Sequence, residues 1–98
     1  MNHFFIEITL PDYFTEEFIT KIPKQREIVD DWMQKGTILN YALALDRSKL
    51  WVAMVAESEQ EVMEVLASFP LIDYMKPEVF RLAFYQGVAP GIPAFSLN

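Results

Sequence analysis

The sequence predicts an α+β domain with the element order βαββαβ, and three observations lead there. Residues 2–10, 37–45, 50–57 and 77–86 alternate side chains at the two-residue period of a strand. Residues 15–35 and 59–69 place apolar side chains at three- and four-residue steps, the period of a helix. The chain of 98 residues allows one compact domain, just large enough to bury a core of its own.

NHFFIEITL (2–10) puts Phe4, Ile6, Ile8 and Leu10 on one face and His3, Phe5, Glu7 and Thr9 on the other, before Pro11-Asp12 ends the strand. From Thr15 to Lys35, Phe18, Ile22, Val29, Trp32 and Met33 form an apolar stripe, and Lys35-Gly36 closes the helix. Pro23 lies inside that stripe, so a kink or break is expected there. TILNYALAL (37–45) and LWVAMVAE (50–57) flank Asp46-Arg47-Ser48-Lys49, a polar tetrad suited to a hairpin. With Arg47-Ser48 at the turn, Leu45 would face Leu50, and Leu43 would face Val52. Ser58-Glu59-Gln60-Glu61 is a capping box for a second helix running to Phe69, where Pro70 stops it. PEVFRLAFYQ (77–86) sets Phe80, Leu82 and Phe84 against Val79, Arg81, Ala83 and Tyr85, the bulkier set expected to face the core. Residues 1–86 thus form the α+β domain, and residues 87–98, GVAPGIPAFSLN, read as an extended C-terminal arm.

This order is that of a ferredoxin-like split βαβ fold. Right-handed crossovers give a four-stranded antiparallel sheet with the first and third strands central and two helices on one face. The opposite face should carry His3, Phe5, Ile38, Ala53, Val55, Val79 and Tyr85, which is too apolar for a surface left to water. A second copy of the chain covering it would make a homodimer, a dimeric α+β barrel.

The composition excludes several classes of function. A net charge of −6 with no basic cluster argues against nucleic acid as a partner. There is no cysteine and one histidine, which excludes disulfides, zinc–thiolate sites and a histidine metal cluster. No apolar run approaches a membrane span, and the N-terminus lacks the basic start of a signal peptide, so a soluble cytoplasmic protein is expected.

Four segments carry a family resemblance: ITLP (8–11), KGT (35–37), FPLIDYM (69–75) and the PEV that follows. Through them, residues 3 to about 85 resemble the muconolactone delta-isomerase family of dimeric α+β barrels. The resemblance implies a cofactor-independent isomerisation in aromatic catabolism, in which proton transfer moves a double bond of an unsaturated lactone. Such chemistry needs an acid/base group and a polar partner for the developing enolate. The resemblance aligns His3 with a family histidine, but it sets Asn40 where the family has a histidine, Leu43 where it has a basic residue and Val52 where it has a serine. The expectation is a relative whose reaction differs or is lost, an isomerase or a binding protein for a small apolar or anionic metabolite. The alternative is an assembly protein with no ligand.

The ligand-pocket candidates are His3, Glu7, Arg26, Asn40, Trp51 and Arg81. His3 is the one side chain of a type that exchanges protons near neutral pH, and otherwise a solvated or interface histidine. Glu7 and Arg81 are expected on one sheet face as a carboxylate held by a guanidinium, beside a ligand or as a structural ion pair. Arg26 borders the helix stripe and either reaches an anion or snorkels to water. Asn40 needs partners wherever it is buried. Trp51, with Tyr85, can line a slot for a flat ring or anchor an interface.

Overall fold

A computed structural model describes residues 1–87. The elements are β1 (Asn2–Thr9), α1 (Glu16–Gln34), β2 (Ile38–Leu43), β3 (Lys49–Ala56), α2 (Glu59–Ala67), a short 3-10 turn (Ile72–Tyr74) and β4 (Lys76–Arg81). The sheet is antiparallel in the order β2-β3-β1-β4, with β1 and β3 central as the crossover rule requires. This is the ferredoxin-like α+β fold. All but Gly87 of the expected C-terminal arm lies outside the described residues. Among the described residues, no helix is long and apolar enough to cross a membrane.

One face of the sheet is dry. Phe4, Ile6, Ile8, Leu50, Val52 and Met54 from the two central strands meet Phe18 and Val29 of α1 and Val62, Val65 and Leu66 of α2. Burying each of these side chains contributes about 1.5–3 kcal/mol. The linker 69–75 belongs to this core: Phe69, Leu71 and Met75 are buried in it, and Tyr74 meets Phe18 edge-on. Its proline stops α2, while its apolar residues fill the space between α1 and the sheet end.

Local chemistry explains the element ends. Thr15 caps α1 by accepting from Phe18 N at 3.2 Å. At the other end Gly36, at φ 81°, lets Gly36 N reach Met33 O and Thr37 N reach Trp32 O, both at 3.0 Å. That is a Schellman closure, and it accounts for the KGT segment. Ser58 Oγ accepts from Glu61 N, and the Glu61 carboxylate reaches back to Glu57 N, both at 3.2 Å. The second helix ends at Ala67, two residues before Phe69.

Several expectations are corrected. Helix α1 runs unbroken through Pro23. Pro23 and Ile19 are both exposed, so water can satisfy the Ile19 carbonyl that the proline leaves without a donor. The β2–β3 hairpin pairs Leu43 with Leu50 and Tyr41 with Val52, two residues from the expected register. Its loop is Leu45–Ser48, with Arg47 at φ 63° and the Asp46 carboxylate accepting from Ser48 N and Oγ at 2.9 and 2.7 Å. Those bonds from Ser48 lower the Asp46 pKa.

The ladder also shifts between Ile38 and Asn40. This bulge turns Ile38 from the open face into the core, opposite Met54. On β4 the faces are inverted. Val79 pairs with Ile6 and packs on the core, whereas Phe80 pairs with Phe5 on the open face and stays 45% exposed. Arg81 therefore lies opposite Phe4, on the other side of the sheet from Glu7, and the expected Glu7–Arg81 pair does not form. The strand stops at Arg81; after one more bond, Leu82 N to His3 O at 2.8 Å, the chain leaves the ladder.

Candidate functional site

The open sheet face collects most of the candidate residues, because alternation sends His3, Glu7, Asn40 and Trp51 to the side away from the helices. Past Leu82 the chain turns over this face and brings Tyr85 onto it. The Tyr85 ring lies parallel to the His3 ring, centroids 5.4 Å apart and planes within 6°. Asn40 Nδ2 donates to the Tyr85 hydroxyl at 2.9 Å. His3 on β1 and Asn40 on β2 are thus joined across β3 by one phenol. Beneath them Ala53 is fully buried, the small residue that pairs with both Phe5 and Asn40.

A second polar group sits further along β1. Trp51 Nε1 donates to Glu7 Oε1 at 3.2 Å, Lys49 Nζ lies 3.8 Å from Glu7 Oε2, and the same ammonium donates to Thr9 Oγ1 at 2.8 Å. Glu78 faces Glu7 from β4, so Lys49 offsets a like-charge pair. The ion pair is part-exposed and contributes little by itself, about 0–1 kcal/mol. Glu7 and His3 are four residues apart on one strand, roughly 13 Å at strand rise, with Phe5 between them. They cannot share a proton directly.

The two arginines stand elsewhere. Arg81 Nη2 donates to Asn2 Oδ1 at 2.8 Å on the edge strand. Arg26 is exposed on α1, where its charge is felt by Tyr41. Tyr41 belongs to a third polar group, on the helix side, that the sequence reading did not assemble. Gln25, only 3% exposed, donates through Nε2 to the Tyr41 hydroxyl at 3.3 Å and accepts at Oε1 from Leu71 N at 3.2 Å. Burial raises the Tyr41 pKa, against the opposing effects of the Gln25 hydrogen bond and Arg26. A glutamine at the border of an apolar helix stripe was the available signal. Leu43, half exposed, and Val52, fully buried, share this helix-side face and bring no acid or base to it.

Two open clefts flank the Pro11-Asp12 loop, one of about 340 Å³ reaching Asp46, Arg47 and Ser48, the other of about 230 Å³ reaching Tyr74 and Lys76. Neither is lined by a candidate residue, and their polar groups are turn and surface side chains. Among the described residues, no group of three His, Asp or Glu stands together to hold a metal ion.

Arranged chemically, the open face offers an imidazole, a carboxamide donor and a phenol at one place, and a carboxylate held by an indole and an ammonium at another. A search of curated proteins finds no match to the chain. The family model of muconolactone delta-isomerase matches residues 3–87, nearly the whole of the described structure. The β1 histidine, the KGT helix closure and the packed 69–75 linker all lie inside that match, and the chain belongs to the muconolactone delta-isomerase family.

Proposed function

We propose that the chain is a cofactor-independent, isomerase-like protein that handles a small unsaturated ring metabolite other than muconolactone on its open sheet face. One observation carries the reading: His3 and Asn40, two positions aligned with family histidines, meet at one place, joined through Tyr85. In this reading the His3 imidazole takes a proton from the carbon next to an unsaturated carbonyl. That carbon lies between the carbonyl and the double bond, so its electron pair spreads into a dienolate with charge on the carbonyl oxygen, where Asn40 Nδ2 donates a hydrogen bond. The imidazolium then returns the proton to the far end of the system, so the double bond moves and nothing is consumed.

A second copy of the chain closes the site. Phe5, Trp51, Val55 and Phe80 form a partly exposed apolar surface around it, suited to a facing sheet in a homodimer. The competing reading, a ligand-binding protein without turnover, is favoured by Leu43 and Val52. They replace a basic and a hydroxyl group of the family with side chains that cannot exchange protons.

Proton NMR in D2O tests both readings, with purified protein, muconolactone and a set of unsaturated lactones. Losing one positioned acid/base group costs about 10²–10⁴ in rate, so muconolactone should turn over at least tenfold more slowly than with a catalytically complete family enzyme. Another lactone should exchange its acidic C–H faster than in buffer, and His3→Ala should abolish that exchange. Muconolactone turnover within tenfold of the family enzyme would overturn the divergence. Exchange no faster than buffer for every lactone would reduce the protein to a binder, and exchange unaffected by His3→Ala would move the site elsewhere.

A further inference from the structure

Tyr85 is held as a ligand would be. Below it lies the parallel ring of His3, and its hydroxyl accepts from Asn40. On another side Gly87 folds against it so closely that a Cβ there would come within 3.2 Å of both Cε2 and the hydroxyl oxygen. Only a glycine allows that approach without moving the ring. The segment carrying the phenol is otherwise loosely attached. Ladder pairing ends at Arg81, the last backbone bond to the sheet is Leu82 N to His3 O, and among the described residues no backbone hydrogen bond holds 83–87. Phe84, beside Tyr85, is 77% exposed and adds no anchor.

We infer that Tyr85 is a displaceable internal occupant of a binding slot, and that the slot takes a planar ring carrying one hydroxyl or carbonyl oxygen. Such a ligand makes the same stack on His3 and accepts the same hydrogen bond from Asn40 when residues 83–87 lift away. The ring lies over one side of the half-buried His3, so lifting the segment also opens that side of the imidazole to a ligand. The inference rests on the open-face reading above for its catalytic meaning, but the slot itself is a separate claim about binding.

The probe is p-cresol, the tyrosine side chain as a free molecule, titrated into isotopically labelled protein while the His3 ring and Asn40 side-chain amide signals are followed. If the internal phenol fills the slot about nine-tenths of the time, removing it by Tyr85→Ala should tighten p-cresol binding about tenfold. The largest shifts should fall on His3 and Asn40, and toluene, which lacks the oxygen, should bind Tyr85→Ala more weakly than p-cresol. Equal p-cresol affinity in wild type and a folded Tyr85→Ala, or shifts centred elsewhere, overturns the slot. Should Tyr85→Ala not fold, Gly87→Ala decides: its added methyl group pushes on the phenol and should tighten p-cresol binding, and unchanged affinity overturns the proposal. Binding of p-cresol without lactone exchange leaves the slot standing and removes the isomerase reading. Lactone exchange with no change of p-cresol affinity on removing Tyr85 does the reverse.

Discussion

Replacing Gln25 with leucine should be among the most damaging single changes to a polar residue in the domain. Gln25 is buried, and its amide is shared between two elements distant in sequence: the Tyr41 hydroxyl on β2 and Leu71 N in the linker after α2. Leucine removes both bonds, and the two losses are unequal. The Leu71–Gln25 bond is buried, so its N–H is left without an acceptor, at about 1–3 kcal/mol. Tyr41 is only partly buried, so water can replace its bond and the loss there is about 0.5–1 kcal/mol. The extra apolar contact of leucine recovers little, because its branched shape does not follow the path of the glutamine chain. The net expectation is a loss of about 2–3 kcal/mol. In a domain near 100 residues this lowers Tm by roughly 10–20 °C.

Urea unfolding, followed by the fluorescence of Trp32 and Trp51, measures the loss directly. Tyr41→Phe apportions it: alone it should cost no more than about 1 kcal/mol, and Gln25→Leu should retain most of its effect in that background. A loss below about 0.5 kcal/mol for Gln25→Leu, with an unchanged denaturant slope, would refute the reasoning. It would mean that the Leu71 N–H finds another partner and that the linker is not tied to α1 through this amide.

Pro23→Ala should stabilise the domain by about 1–3 kcal/mol, since α1 is already helical through that position and the alanine N–H can bond the Ile19 carbonyl; calorimetry showing a lower Tm would contradict it. Burial raises the Tyr41 pKa above 10.0, so above pH 10 the unfolded chain releases this proton first and binds fewer protons than the folded chain. Stability should therefore fall as pH rises from 10 towards the folded-state pKa, and Tyr41→Phe should remove that part of the slope in urea titrations. Phe80→Glu tests the proposed homodimer better than Ala53→Glu would. Ala53 is fully buried within one chain, so a charge there would report on folding, whereas Phe80 is 45% exposed on the open face. The Phe80→Glu protein should stay folded and lose dimer mass in light scattering, and an unchanged dimer would place the interface elsewhere.

Where the sequence was legible, one physical signal dominated. The alternation of Phe4, Ile6 and Ile8 against His3, Phe5 and Glu7 admits one orientation of β1, and that strand is as expected. The capping box at Ser58 and the glycine after Lys35 likewise each have one natural structural meaning. Strand β4 was misread because both of its faces are apolar. Phe80, Leu82 and Phe84 outweigh Pro77 and Val79 in bulk, but the pairing of Ile6 with Val79 decides which side meets the helices, and pairing is not written in one strand alone. The bulge at the start of β2 is hidden for a similar reason. Ile38 and Leu39 are both apolar, so inserting one residue leaves no mark on the pattern while it reverses a face. Of the candidate site, His3, Asn40, Glu7 and Trp51 were found on one face because each follows the alternation of its own strand. Tyr85 was expected on that face as a strand residue; it reaches the face instead by the chain leaving the ladder after Leu82, which periodicity does not register.

The two neighbours Asn40 and Tyr41 show how the sheet divides its work. Adjacent on β2, they point to opposite faces, and each is bonded to a residue distant in sequence: Asn40 to Tyr85 on the open side, Tyr41 to Gln25 on the helix side. The helix-side bond continues through Gln25 to Leu71, so the linker FPLIDYM holds α1 at a fixed position over β2. The ladder to β3 sets where β2 lies, and with it where Asn40 presents its amide. Tyr41 is the point at which the linker, through Gln25, touches the strand that also carries the open-face amide. Phe69, Leu71 and Met75 bury the linker, and burial makes the Gln25–Leu71 bond that ties α1 to it hard to exchange with water. The open face, relieved of any part in the core, is free to carry an imidazole, an amide and a carboxylate that a folding core would not tolerate unpaired.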